Sequence, residues 1–389
     1  MTVSTLDVDR SISTLRLNSQ EFANLTNEEL SAMFLTSIEN IKTIAYFWAT
    51  IGADNKGIKG STAEGEEWLG GPFASTIALQ YYIDYLKNDI NFIDEKSISE
   101  NKINVFPNKK IEKLLFPYVT ADIHFNKNMS IEDILNARGF GNRLGFKKGI
   151  TLILGAGNVS SIPLLDTIYD MVVNRHCILL KLNPVNEYLK PVFEKVFENF
   201  ISRGFMIVTS GDSEISSYIT NHLGITNMHL TGSDKTYEKI VYGSVLPEKD
   251  KGKKSLTKSN KKPFTTELGN VTPFIIHPGN WSSGEIKYQA RKIVTAKLNN
   301  NGFNCIAAQV IVVPKGWKHS EKLVEAIKKQ LSIEKDRLAY YPDSLNSLNN
   351  LLSEKNVQQV NNESCATPHL TKDLDLNDHY ENNEVWSSA

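Results

Sequence analysis

The sequence predicts an α/β fold in which helices cover both faces of a parallel β-sheet. From Gly149 onward, short apolar runs alternate with helical segments of about 10–15 residues, the pattern of a parallel sheet with crossover helices. Most of the runs are mainly apolar, as strands buried on both faces are. The predicted strands are 150–154, 177–182, 205–209, 226–230, 264–268, 273–276 and 308–313. The predicted helices among them lie near 162–173, 188–202, 212–222 and 286–298.

The first 118 residues are predicted to be mainly helical. Asn27 is the predicted N-cap of a helix whose apolar residues recur every three or four positions, and a second helix is predicted over 74–86. Between residues 246 and 263 the chain carries seven lysines among Gly, Ser, Thr and Asn. Such a run indicates a solvated loop, with an anion-binding segment as the alternative.

Composition excludes several classes of protein. The chain has 389 residues, of which 41% are hydrophobic and 22% charged, enough for two to three folded domains and too apolar for a disordered chain. Its 43 basic and 44 acidic side chains give a net charge of −1, so we expect no nucleic-acid partner. Without an apolar run of roughly 18 residues or a secretory signal, we expect no membrane span and a cytoplasmic protein.

The cysteines and histidines argue against a metal site. Cys177, Cys305 and Cys365 are too few and too scattered for a disulfide framework or a zinc cluster, and they fit a reducing compartment. The histidines show no ligand spacing with Cys, Asp or Glu, so we expect no metal. Cys177 begins an apolar strand, which predicts a core position.

Two segments carry groups suited to covalent catalysis. Cys305 lies just past a glycine turn and just before an apolar strand, where a thiol can project into a cleft and its own N–H can donate. Glu267 lies at the end of an apolar strand, two residues before Gly269. A carboxylate near an acylated thiol can deprotonate the water that releases the acyl group.

Three further segments end predicted strands. Gly155, Gly157 and Asn158 follow the first of them, where a glycine turn can cradle a phosphate, or the side-chain amide can donate to an oxyanion. Lys181 ends the next strand, and the sequence Thr-Gly-Ser at 231–233 ends another and opens a helix. A lysine and a helix N-terminus at neighbouring strand ends suit ribose hydroxyls and a pyrophosphate.

In this chain order the segments resemble the aldehyde dehydrogenase superfamily. The family pattern has an asparagine after an apolar strand, a lysine at the next strand end, T-G-S, E-L-G-G-x-x-P, and N-x-G-Q-x-C. The resemblance extends over 150–313. It is carried by Asn158, Lys181, the Thr-Gly-Ser turn with Gly232 and Ser233, Glu267 with Gly269 and Pro273, and Asn300, Gly302 and Cys305.

The resemblance implies a role for each matching residue. Cys305 would attack an aldehyde carbonyl, Asn158 and the Cys305 N–H would hold the oxyanion, and Glu267 would activate water to release the carboxylic acid. NAD or NADP would be the cofactor. The residues implied to bind it are Lys181, Gly157, Gly232, Ser233 and, in a segment similar to the family's E-x-F-G-P motif, Glu384.

The resemblance also implies a domain organisation and a partner. We expect a Rossmann-like cofactor domain, helical over 1–118 and continuing over 119–262, and an aldehyde dehydrogenase-like catalytic domain over 263–389. Relatives continue beyond the motif at Glu384, so the catalytic domain is expected to be incomplete at the C-terminus. The partner is a small-molecule aldehyde; relatives are homo-oligomers, but a chain cut short would lack the strand used for assembly.

Two alternatives remain open from the sequence. The first is an acyl-CoA or other acyl-thioester reductase of the same superfamily, in which the same cysteine accepts an acyl group and electrons flow the other way. An intact Glu267 favours acid formation over that reaction, which needs no water-activating base. The second is a catalytically impaired, nucleotide-binding relative in which Cys305 is inert.

Overall fold

The structure is a computed structural model. It describes residues 3–87, 98–99, 101–107, 110–126, 129–130, 133, 147–247, 250–251, 253, 256–335, 337–342, 344, 346, 357–359 and 369–371. No helix within these ranges is both long enough and apolar enough to cross a bilayer.

A five-stranded parallel sheet forms the centre of the molecule. Its strands are β4 (Ile150–Leu154), β5 (Cys177–Lys181), β6 (Met206–Thr209), β7 (Asn227–Thr231) and β8 (Phe264–Glu267). Their spatial order is β6-β5-β4-β7-β8. Every residue of β4 and β5 is buried, so helices cover both faces of the sheet, and the predicted α/β class is confirmed.

The α-helices up to residue 242 are α1 (Thr5–Ala23), α2 (Asn27–Asn55), α3 (Glu64–Trp68), α4 (Ala74–Leu86), α5 (Lys110–Leu115), α6 (Ile162–Val173), α7 (Lys190–Val196), α8 (Glu198–Ser202), α9 (Ser213–Asn221) and α10 (Asp234–Tyr242). The helices predicted near 162–173, 188–202 and 212–222 correspond to α6, to α7 with α8, and to α9, which contribute to the same hydrophobic cluster as the strands. In the N-terminal part, α1, α2 and α4 contribute to this cluster as well.

The predicted N-cap of α2 is wrong by one residue. Thr26 has the extended backbone of a cap (φ −69°, ψ 163°), and its hydroxyl accepts the N–H of Glu29 at 3.1 Å. The Glu29 carboxylate accepts the Thr26 N–H in return at 2.8 Å, which completes a capping box. Asn27 is therefore the first helical residue.

The first 118 residues are less helical than predicted. They contain two strands of a three-stranded antiparallel sheet, made of β1 (Ile98–Ser99), β2 (Lys102–Phe106) and β3 (Ala121–His124). Only Ile103 is buried in β2, and all of β3 is exposed. With so little burial, these strands lack the apolar pattern that would predict them.

A second hydrophobic cluster lies beyond β8. It joins the parallel pair β9 (Pro273–Ile275) and β10 (Val310–Val312) to the helices α11 (Ser283–Leu298) and α12 (Ser320–Ile333). Further along, β11 (Val357–Gln359) and β12 (His369–Thr371) form an antiparallel pair. Since β8 pairs with β7 and Leu268 packs on the first cluster, we propose that the domain boundary expected at 262 lies after Leu268.

The lysine-rich segment contains no strand in its described residues between 246 and 263. A short turn at Asp250 is its only helical feature there. Most of the described lysines of this stretch lie at its surface or pair with nearby carboxylates, whereas half-buried Lys262 donates to the Thr220 carbonyl at 2.7 Å. Lys251, for example, pairs with Asp234 at 3.1 Å. The predicted solvated loop agrees with this arrangement.

Candidate active site

The carboxyl ends of the parallel strands bring four of the predicted segments to one edge of the sheet. The register pairs Leu154, which precedes the Asn158 loop, with Lys181, and it pairs Thr231 with Glu267. The loop after β7 is held to β8, since the Gly232 N–H donates to the Glu267 carbonyl at 3.0 Å. Open parallel sheets bind ligands at this edge.

The turn before Cys305 has an unusual backbone. Asn300, Asn301 and Gly302 have φ values of 55°, 57° and 83°, so three successive residues lie in the left-handed region. Asparagine enters this region at a cost that the surrounding structure must offset. Cys305 follows this turn and is half-buried, and its thiol lies 3.7 Å from the side-chain oxygen of Asn304.

The side chains of the turn are tied down by hydrogen bonds. The Asn300 amide donates to the Phe303 carbonyl at 2.7 Å. The Asn301 amide donates to the carbonyls of Lys56 at 2.9 Å and Leu338 at 3.0 Å. These contacts stabilise the left-handed conformation of the turn. They thereby fix the position from which the chain continues to Cys305.

Two hydrogen bonds join the segment after Glu267 to the Cys305 segment. The Thr272 hydroxyl donates to the Cys305 carbonyl at 3.0 Å, and the Gln309 amide donates to the Asn270 carbonyl at 2.8 Å. The pairing of β9 with β10 continues this contact. Glu267 itself is exposed at the end of β8. The structure therefore brings the two segments together, while the roles of Cys305 and Glu267 stay predictions.

Asn158 is joined to the same region through a lysine that the sequence did not indicate. Asn158 is 6% exposed, and its carbonyl accepts from Lys56 Nζ at 2.9 Å. Lys56 Nζ also donates to Asn300 Oδ1 at 2.7 Å and to Glu67 Oε1 at 2.6 Å. One ammonium thus connects the Asn158 loop with the turn before Cys305.

Lys56 was missed because its local sequence is ordinary. It directly follows the 29-residue helix α2 as its C-cap, where a lysine is usually a solvated residue that complements the helix dipole. Its partners lie 11, 102 and 244 residues away along the chain. No spacing within the sequence could have identified them.

Lys181 lies at the carboxyl end of β5 with a buried side chain. Desolvation lowers the pKa of Lys181, and the nearby carboxylates of Glu187 and Asp212 act in the opposite direction. Its backbone carbonyl accepts the Gly155 N–H at 3.0 Å, which ties β5 to the loop that carries Gly157 and Asn158. A Cβ at Gly157 would collide with the Tyr341 hydroxyl and the Asn183 side chain, so any other residue there would require these side chains to shift.

Gly232 and Ser233 lie where β7 passes into α10. The Ser233 hydroxyl caps this nine-residue helix by accepting the Thr236 N–H at 3.4 Å. Ser233 is exposed. A helix N-terminus at the carboxyl edge of the sheet agrees with the predicted pyrophosphate position, which stays a prediction.

The remaining predicted residues lie elsewhere. Glu384 and Cys365 fall outside the described residues. Cys177 is fully buried in β5, and desolvation raises its pKa to about 12, so the predicted core position is confirmed. Within the described ranges no group of three His, Cys, Asp or Glu side chains has the arrangement of a metal site.

A separate cleft opens at the opposite, amino-terminal edge of the sheet. Its volume is about 1090 Å³, and its lining includes Gly149, Tyr218 and Thr226. None of the predicted site residues lines it. The chemistry expected from the sequence therefore belongs to the carboxyl edge.

The environments of the two described cysteines predict opposite reactivities. Iodoacetamide at neutral pH should alkylate half-buried Cys305 in the folded protein and spare Cys177, because the thiolate is the reactive form and burial keeps Cys177 protonated. Peptide mass spectrometry after timed quenching measures both rates separately. Alkylation of Cys177 as fast as Cys305 in the folded protein would contradict this assignment.

Comparisons with known proteins agree on one family. Residues 177–361 match the model described as the aldehyde dehydrogenase family, a range that contains Lys181, Glu267 and Cys305. The chain is also similar to D-glyceraldehyde dehydrogenase (NADP(+)) of Picrophilus torridus, with 27% identity over 143 residues. That alignment covers 36% of this chain and only 24% of the relative's length.

Solved structures share the fold over the whole chain. An aldehyde dehydrogenase from Bartonella henselae has a TM-score of 0.67 at 13% identity. The superposition covers 100% of this chain and 73% of the Bartonella henselae protein. An NAD-dependent benzaldehyde dehydrogenase from Corynebacterium glutamicum has a TM-score of 0.67 at 14% identity, with coverages of 100% and 74%. The predicted aldehyde dehydrogenase-like fold is confirmed.

Proposed function

Because residues 177–361 match the aldehyde dehydrogenase family, we propose that this chain oxidises an aldehyde to a carboxylic acid with NAD or NADP, through Cys305 as the nucleophile. One observation carries the proposal. The Cys305 segment is joined by hydrogen bonds to the segment after Glu267 and, through Lys56, to the Asn158 loop. A nucleophile, an amide and a carboxylate are thereby carried by neighbouring segments.

The first step uses Cys305 and Asn158. The Cys305 sulfur attacks the carbonyl carbon, an S–C bond forms, and the carbonyl π electrons move to oxygen. The Asn158 amide and the Cys305 N–H donate to this oxyanion. The product is a thiohemiacetal held on Cys305 in a half-buried position, which limits its exposure to water.

Four described residues would hold the cofactor. Lys181 offers a desolvated ammonium beside the Asn158 loop, Gly232 and Ser233 offer the start of α10, and Gly157 keeps the loop after β4 free of a Cβ. These donors fit the hydroxyls and phosphates of a dinucleotide. When bound, nicotinamide supplies the two-electron acceptor that turns the thiohemiacetal into a thioester.

Glu267 would complete the reaction. Its carboxylate is exposed at the end of β8, so it is accessible to water and can take a proton from it. The water oxygen then attacks the thioester carbon, and the C–S bond breaks to leave the Cys305 thiolate and the carboxylic acid. Glu267 passes its proton to bulk water before the next cycle.

Variants of Cys305 and Asn158 test the first step. Cys305→Ala should abolish aldehyde-dependent formation of NADH or NADPH, because no covalent adduct can form. Asn158→Ala should lower kcat by about 10²–10³, the effect of removing one oxyanion donor. Both are measured from the absorbance of the reduced cofactor over a panel of aliphatic and aromatic aldehydes, with Cys177→Ala as the matched control. Full activity of the Cys305→Ala protein would refute the proposal.

Glu267→Gln tests the release of the acid. This variant should still give a rapid burst of reduced cofactor equal to one turnover, followed by a slow steady state, because the thioester forms but is not hydrolysed. Stopped-flow absorbance measures the burst and the steady rate. Unchanged steady turnover would remove Glu267 from the mechanism. Preferential consumption of NADPH with an acyl-CoA would instead support the acyl-thioester reductase.

A further inference from the structure

We infer that Lys56 is a positioning residue: its buried ammonium, paired with Glu67, holds the Asn158 loop against the turn that precedes Cys305. The inference rests on the proposed function, because it explains how the oxyanion donor and the nucleophile reach one substrate. Lys56 and Glu67 are not expected to touch the substrate or the cofactor. They act through Asn158 and Asn300.

All three donors of the ammonium are used. Lys56 Nζ donates to Glu67 Oε1 at 2.6 Å, to Asn300 Oδ1 at 2.7 Å and to the Asn158 carbonyl at 2.9 Å. The two charged side chains are only 2% and 4% exposed, and the ring of Tyr340 lies 5.5 Å from the ammonium. An ammonium has three N–H donors, so this one is saturated without water.

The three acceptors come from separate parts of the fold. Glu67 belongs to α3, Asn158 to the loop after β4, and Asn300 to the left-handed turn five residues before Cys305. A point charge with three short bonds fixes the relative positions of these segments. The Asn158 carbonyl is the backbone group next to the amide side chain that is proposed to bind the oxyanion.

A second set of contacts holds the same turn from the other side. The Asn300 N–H donates to Glu66 Oε2 at 2.7 Å, and both terminal nitrogens of Arg337 lie 3.2 Å from Glu66 Oε1. The Asn301 amide donates to the Lys56 carbonyl. The backbone and the side chain of Lys56 therefore both stabilise this turn. Without such contacts, the left-handed conformation of its asparagines would be unfavourable in free energy.

The Glu67 carboxylate lies in close contact with α2. A Cβ at Gly52 of α2 would collide with Glu67 Oε2, so the absence of a side chain there lets α3 approach α2. Glu67 Oε2 has no hydrogen-bond partner among the described residues. The carboxylate is thus oriented by Lys56 and by this close contact.

A buried ion pair is an inefficient way to stabilise a fold. The desolvation of two charges offsets most of their attraction, and apolar replacements of both partners are often tolerated. Catalysis has a stricter requirement, because a misplacement of about 1 Å in a reacting group can cost roughly 10²-fold in rate. The pair therefore has its main effect on the geometry of the site.

The decisive variant is Lys56→Met/Glu67→Met, which removes both charges and leaves no unpaired ion in the interior. We expect it to fold, to keep its KM for the cofactor within about twofold, and to lose about 100-fold in kcat. Lys42→Met removes an exposed ion pair with Glu39 on the same helix and should leave kcat unchanged. A double variant with the kcat of the parent protein would overturn the inference.

Asn300→Gly is a second variant that keeps the inference testable if the double variant does not fold. Glycine adopts a φ of 55° without strain, so only the link from the turn to Lys56 and Phe303 is lost. We expect a fall in kcat of about tenfold or more with an unchanged KM for the cofactor. An unchanged kcat would contradict the positioning role.

Two readouts do not depend on turnover and separate this inference from the proposed function. Hydrogen–deuterium exchange of the peptide 299–308 should be faster in both variants than in the parent protein and the Lys42→Met control. The rate of Cys305 alkylation should change by about tenfold, while Cys177 stays protected. If no aldehyde is oxidised but these changes occur, the proposed function fails and the positioning role stands. Unchanged exchange and alkylation would overturn the positioning role.

Discussion

A single buried ammonium connects the parts of this molecule that the proposed chemistry requires. Lys56 Nζ lies in the interior, and its three hydrogens are taken by a carboxylate, a backbone carbonyl and a side-chain amide oxygen from three segments. A buried charge is tolerated only when its partners are held in place, so each partner constrains the others. The loop of Asn158 and the turn before Cys305 share this constraint.

The parallel sheet supplies the frame on which this constraint acts. The carboxyl ends of β4, β5, β7 and β8 meet at one edge, and the register places the Asn158 loop, Lys181, the start of α10 and Glu267 there. The Cys305 segment belongs to the second hydrophobic cluster and is attached to this edge by Thr272, Gln309 and the lysine network. The candidate site thus lies where the two clusters meet.

The elements that the sequence predicted well are those with a clear local pattern of apolar residues. The bounds of β4 and of the helix from Ala74 to Leu86 agree with their predicted ranges, because a fully buried strand and an apolar helix face leave a dense signal. The antiparallel strands β2 and β3 were missed, because only Ile103 is buried in β2 and all of β3 is exposed, so neither strand has a buried apolar run. The segments of Asn158, Glu267 and Cys305 could be found because each couples a strand end with a reactive group.

Long-range contacts account for what the sequence could not show. Lys56 and Asn300 are 244 residues apart, and neither carries a mark of its partner in its own neighbourhood. The left-handed conformations of Asn300 and Asn301 likewise depend on acceptors supplied by Lys56, Phe303 and Leu338. Motif order therefore indicated Cys305 as the proposed nucleophile, while the contacts that hold its segment in place became visible only in the structure.

The most direct measurement is a crystal structure of the protein trapped as its covalent Cys305 adduct with an aldehyde and cofactor. We expect the adduct oxygen to lie about 2.7–3.1 Å from both the Asn158 amide nitrogen and the Cys305 backbone nitrogen. The Lys56 contacts to Asn158 and Asn300 should be retained. An adduct oxygen that faces solvent, with the Asn158 amide directed elsewhere, would refute the proposed roles of Asn158 and Lys56.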